Sequence, residues 1–155
     1  MRLTCILLDV KEYDQSRFKK HADKLRVKVE LSNDCSGLTQ FMEETGKTSM
    51  ENTVFISGGG CFPSVLKNMI SFHIKGSLVG LDPEWDVSVK HDLYRIDFPV
   101  ILICGGEESS ASRMHSMKYH DRISQSSLVY VNSDPIKMLF NRPERIFKIF
   151  EQYMI

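Results

Sequence analysis

Six strand-length apolar runs, separated by stretches of helical periodicity, constrain this chain more than any other feature. Residues 3–8 (LTCILL), 53–56 (TVFI), 77–81 (SLVGL) and 99–104 (PVILIC) are nearly continuous apolar runs, while 27–31 (VKVEL) alternates and 128–131 (LVYV) closes the series. Continuous apolar runs of this length suit strands covered on both faces. Between them, residues 15–26 place Phe18, Ala22 and Leu25 on one helical face. Ser36 can cap a helix holding Leu38, Phe41 and Met42 that Gly46 would stop, and Pro63 suits the first turn of a helix with Val65, Leu66, Met69 and Ile70. Residues 110–122 form a further helical stretch, and residues 142–154 carry Ile146, Phe147, Ile149, Phe150 and Tyr153 on one wide apolar face.

Strands that alternate with helices imply parallel pairing, because each parallel return needs a crossover. The expectation is a single α/β domain over residues 1–155, a three-layer α/β/α sandwich on a mostly parallel sheet of about six strands. Ligands of such sheets bind beyond the carboxyl ends of the strands. The segments to inspect are therefore residues 9–14, 32–35, 57–61, 82–85, 105–109 and 132–137.

Composition excludes several classes. The chain has 155 residues, 42% hydrophobic and 26% charged, which speaks against disorder or a coiled-coil rod. Twenty Lys and Arg balance twenty Asp and Glu. Nucleic-acid binding by counterion release calls for a basic excess, so no nucleic-acid partner is expected. No apolar stretch is long enough to span a membrane or to serve as a secretory signal. Cys5, Cys35, Cys61 and Cys104 lie far apart with no C-x-x-C spacing, and the five histidines show no metal-ligand spacing. These features predict reduced thiols, no metal, no cofactor and a cytoplasmic or nuclear location.

The second half resembles the α/β-hydrolase superfamily over residues 53–155. Phe98-Pro-Val-Ile-Leu-Ile-Cys-Gly-Gly-Glu-Glu is similar to the strand and turn that deliver the acidic member of that family's catalytic triad. Residues 127–134 (SLVYVNSD) and Asn141-Arg-Pro-Glu-Arg-Ile resemble its last strand and closing helix, and Leu81-Asp-Pro fits the strand after the nucleophile helix. The resemblance places Ser57-Gly58-Gly59-Gly60-Cys61 on the nucleophile elbow, whose motif is G-x-S-x-G. It also implies that the triad is degenerate. Gly59 stands at the nucleophile, Glu108 at the acid and Ile136 at the histidine, in a stretch read as loop. The first loop, with Asp9, Glu12 and Asp14, is acidic where an oxyanion would need donors.

Two other flavodoxin-like families share the outline. Cys-Ile-Leu-Leu-Asp at residues 5–9 resembles receiver domains and class I glutamine amidotransferases. The receiver pattern lacks its phospho-acceptor and lysine here, and the amidotransferase pattern has Arg142 in place of its histidine. A receiver also brings its first strand between its second and third.

These readings predict a non-catalytic α/β-hydrolase-like domain acting as a protein-interaction or scaffold subunit. The alternatives are a small hydrolase or transferase with Cys61 or Cys104 as nucleophile, and a degenerate receiver-like regulatory domain. Gly58, Gly59 and Gly60 form a candidate anion cradle at a helix amino terminus. Trp85 and Tyr94, in the irregular stretch at residues 84–97, are candidate contacts for a protein partner or for self-association.

Overall fold

A computed structural model describes residues 4–8, 13–32, 52–74, 76–105 and 110–153. Six parallel strands form one sheet: β1 (Thr4–Leu8), β2 (Lys28–Ser32), β3 (Thr53–Gly58), β4 (Ser77–Leu81), β5 (Val100–Cys104) and β6 (Ser126–Tyr130), in the order β2-β1-β3-β4-β5-β6. The helices are α1 (Ser16–Lys24), α2 (Phe62–Ser71), α3 (Ser110–His120), α4 (Pro135–Asn141) and α5 (Pro143–Tyr153), with a 3₁₀ helix at Val87–Arg95. The helix expected at residues 36–46 lies outside the described residues.

The apolar runs are continuous because both faces of the sheet are covered. Cys5, Leu7, Val54, Ile56, Val79, Leu81, Ile101 and Ile103 point to one face and pack with Phe18 and Ala22 of α1, Leu139 and Phe140 of α4, and Ile146 and Phe147 of α5. Ile6, Phe55, Leu78, Val100 and Leu102 point to the other, against Phe62, Leu66 and Met69 of α2, Val89 and Leu93 of the 3₁₀ helix, and Tyr119 of α3. Two-residue alternation within one apolar strand thus feeds two cores.

Three sequence expectations change. Helix α4 stands where the sequence predicts a loop; Asp134 caps it by accepting hydrogen bonds from the backbone N–H of Ile136 (2.9 Å) and Lys137 (3.3 Å), and Pro135 occupies its first turn. Residues 87–95, read as irregular, wind as a 3₁₀ helix because Asp86 accepts from Ser88 N–H and the Val89 and Leu93 side chains are buried. Strand order does not separate a receiver from a hydrolase, since β1 does lie between β2 and β3. A flavodoxin-type sheet ends at five strands in the order 2-1-3-4-5, whereas β6 extends this one beyond β5.

The chain runs outward from β1 to β2, then crosses back to build β3 on the other side of β1. The direction of winding reverses between β1 and β3, which makes the carboxyl end of β3 the natural place for a crevice.

Candidate functional site

Strand β3 leaves the sheet through Ser57 and Gly58, turns at a short 3₁₀ segment, Gly59–Cys61, and enters α2 with Pro63 in its first turn. Gly58 is still extended at φ −101° and ψ 156°, while Gly59 is left-handed at φ +43°. L-residues avoid that region at a cost of roughly 1–2 kcal/mol, and glycine does not. The Gly59 carbonyl accepts the backbone N–H groups of Phe62 and, at 3.0 Å, Glu84, so the turn is held from both sides. A Cβ placed on Gly59 would meet no atom of the described residues within 4 Å. The backbone bends sharply at the position where the sequence resemblance puts a nucleophile elbow.

Close approach of α2 to the sheet depends on a second glycine. A Cβ on Gly80 would stand 2.7 Å from Phe62 Cε2 and 2.8 Å from its Cδ2. Phe62 is fully buried with its ring edge-on to Tyr119, centroids 4.9 Å apart, so it has nowhere to retreat.

Ile136, the residue at the histidine position of the resemblance, sits in the first turn of α4. Its Cδ1 lies 2.9 Å from the point a Cβ on Gly58 would occupy, which puts an aliphatic group against the elbow. Glu108 lies outside the described residues. At the exit of β4, Asp82 is left-handed at φ +48°, and its Oδ1 accepts the Gly105 N–H at 2.8 Å. Asp82 therefore links the exits of β4 and β5, a role that Leu-Asp-Pro alone did not reveal.

The anion-cradle candidate meets an unfavourable field. Glu84 Oε2 lies 3.0 Å from the point where a Cβ on Gly60 would stand, so a carboxylate overhangs the glycine run and opposes a second negative charge. Ser57 is fully buried, and its Oγ has no hydrogen-bond partner among the described residues. Of the acidic first-loop residues, Asp9 and Glu12 lie outside the described residues. Asp14 is turned to α1: it accepts the Ser16 N–H at 3.0 Å and the Ser16 hydroxyl at 2.8 Å, which hold its carboxyl below the usual range.

The two cysteine candidates are in different states. Cys61 is disulfide-bonded, so the expectation of reduced thiols does not hold there, and this sulfur is no free nucleophile. Pairing is a tertiary property, and wide sequence spacing could not reveal it. Cys104 is a free thiol, fully buried, with Sγ directed at the Val129 carbonyl 3.8 Å away. Burial raises its pKa above the usual thiol range. No histidine hydrogen-bonds it; His120 instead pairs its Nδ1 with the Ser126 hydroxyl at 2.8 Å.

The expected partner patch is only partly exposed. Trp85 is half-buried, its ring edge-on to Tyr119 at 4.9 Å, with the Arg122 guanidinium 5.1 Å from its centroid. The sequence separates Trp85 from Tyr119 by 34 positions, so the packing was not visible there. Tyr94 and Val87 remain open to solvent, 82% and 69% exposed.

Among the described residues no group of three His, Cys, Asp or Glu is placed to hold a metal ion, and no helix is long and apolar enough to cross a membrane.

No family model and no curated protein matches the chain by sequence. Solved structures do match it by shape. A CIB-like hydrolase from Thermoplasma acidophilum superposes with a TM-score of 0.73 at 14% identity, covering 98% of this chain and 86% of that one. MGS-MChE2, an α/β hydrolase from the metagenome of sediments of the Mar Chica lagoon in Morocco, gives 0.73 at 10% identity over 99% and 90%. MenH from S. aureus gives 0.67 at 9% identity over 98% and 93%. The chain therefore has the α/β-hydrolase fold.

Proposed function

We propose that this chain is a non-catalytic α/β-hydrolase-like domain that serves as a protein-interaction or scaffold subunit. One observation carries the reading: the left-handed residue of the elbow is Gly59, which offers no attacking atom, and the neighbouring α4 presents Ile136 to the turn instead of a base. Without a nucleophile and a base, acyl transfer loses both partners of the attack. The thiol alternative is weakened by the Cys61 disulfide and by the burial of Cys104. Tyr94 and Val87, standing out from the 3₁₀ helix beside Trp85, supply the contact surface for a protein partner or a second copy.

The test has two halves. Turnover of p-nitrophenyl acetate should equal that of a Ser57→Ala variant and of the unfolded protein, and a rate lost in either control would sink the non-catalytic reading. The native particle mass and the proteins captured from extract should change in Tyr94→Ala. Association unaltered by that substitution would remove the 3₁₀ helix from the contact.

A further inference from the structure

The chain is neutral overall, yet one region of its surface is not. Two open depressions of about 350 and 330 Å³ meet at Asn141 on the α1–α4–α5 side of the sheet. Lys137, Arg142 and Arg145 line the first; Arg17, Lys20 and Lys24 line the second. All six cations are exposed, and among the described residues none is ion-paired and Glu144 is the one carboxylate in either lining. Packing fixes their arrangement. Arg17 Nη1 donates to the Asn141 carbonyl at 3.3 Å, Tyr13 stacks on Phe140 at 5.1 Å, and Phe18 stacks on Phe147 at 5.6 Å, so α1 is pinned to α4 and α5. Cations on a rigid platform lose less freedom on binding than cations on loops.

We infer that this paired basic platform docks an acidic, extended peptide segment of a partner protein, with carboxylates seated in both depressions. Guanidinium groups in each depression can grip carboxylates through two parallel hydrogen bonds. Single-stranded nucleic acid would call for several aromatic faces among the cations to stack its bases; among the described residues His21 is the one aromatic ring of either lining, and it packs against Phe147 with centroids 5.3 Å apart. A membrane surface would call for an exposed apolar anchor, but the large apolar side chain of the lining, Met138, is only 6% exposed. The inference rests on the interaction-domain reading for its purpose. It uses the opposite face of the sheet from Tyr94, so either can fail alone.

The test is fluorescence anisotropy with a labelled poly-glutamate peptide on the full chain. Saturable binding is expected, weaker at about 200 mM than at about 50 mM salt because exposed charges are screened. The Lys20→Glu/Arg145→Glu double variant should lose about tenfold or more in affinity, and so should Lys24→Glu/Lys137→Glu, with circular dichroism unchanged. Lys90→Glu, on the 3₁₀ helix of the other face, should bind as the parent does. Absence of saturable binding by the parent, or parental affinity retained in both double variants, overturns the inference. So does binding of a duplex oligonucleotide or of phosphatidylserine vesicles without binding of the peptide. Loss of peptide binding with unchanged Tyr94-dependent association would uphold this platform independently of the other surface.

Discussion

Replacing Tyr119 with alanine should lower unfolding free energy by about 3–5 kcal/mol, the range for deleting a buried aromatic side chain. Tyr119 is fully buried, and its ring meets Phe62 and Trp85 edge-on, both with centroids 4.9 Å away. Its hydroxyl donates to the Glu84 carbonyl at 2.5 Å, and the Glu84 N–H in turn binds the Gly59 carbonyl. One side chain thus supports the 3₁₀ helix, the elbow helix and the elbow turn together. Tyr119→Phe keeps the ring and removes only the hydrogen bond, so it should cost about 1–2 kcal/mol. Urea unfolding of both variants separates packing from hydrogen bonding. Equal losses would show that the hydroxyl, and not the ring, anchors the elbow.

Alkali should destabilise the protein progressively as pH rises above about 9. Burial pushes the Cys5 thiol from its ordinary 9.0 up to about 12. Burial likewise raises Cys104 and Tyr119. A raised acid holds its proton longer in the folded state than in the unfolded one. Stability from Cys5 is therefore complete below about pH 9 and drains away as pH climbs toward 12. At about 1.4 kcal/mol per unit, Cys5 alone accounts for at most about 4 kcal/mol across that window. Melting curves taken across that window should fall steeply for the parent and less steeply for Cys5→Ala. Parallel falls would show that the Cys5 thiol does not govern the alkaline limit.

The sequence made the sheet legible because both faces are covered, and a strand buried on two sides must read as an unbroken apolar run, as in residues 99–104. It made α5 legible through the spacing of Ile146, Phe147 and Phe150, all buried. It hid α4, whose seven residues span too few turns to show a helical period, although Asp134-Pro135 is a start signal. At the site, the glycine run marked the turn, but which glycine turns left-handed depends on the crossing of β3 into α2. The need for Gly80 was invisible because the ring it makes room for, Phe62, lies 18 positions earlier. The disulfide at Cys61 and the shelter of Trp85 under Arg122 were hidden for the same reason: both are made by residues distant in the chain.

The proposed non-catalytic role turns on the sharp bend after β3, where the left-handed residue is Gly59 and no side chain is offered for attack. Its most direct test is covalent labelling of the native protein with a fluorophosphonate and, separately, with iodoacetamide, mapped by peptide mass spectrometry. The account predicts no fluorophosphonate adduct at Ser57 or elsewhere, and alkylation of Cys5 and Cys104 only after unfolding. Stoichiometric modification of one serine, or rapid alkylation of Cys104 in the folded state, would contradict it.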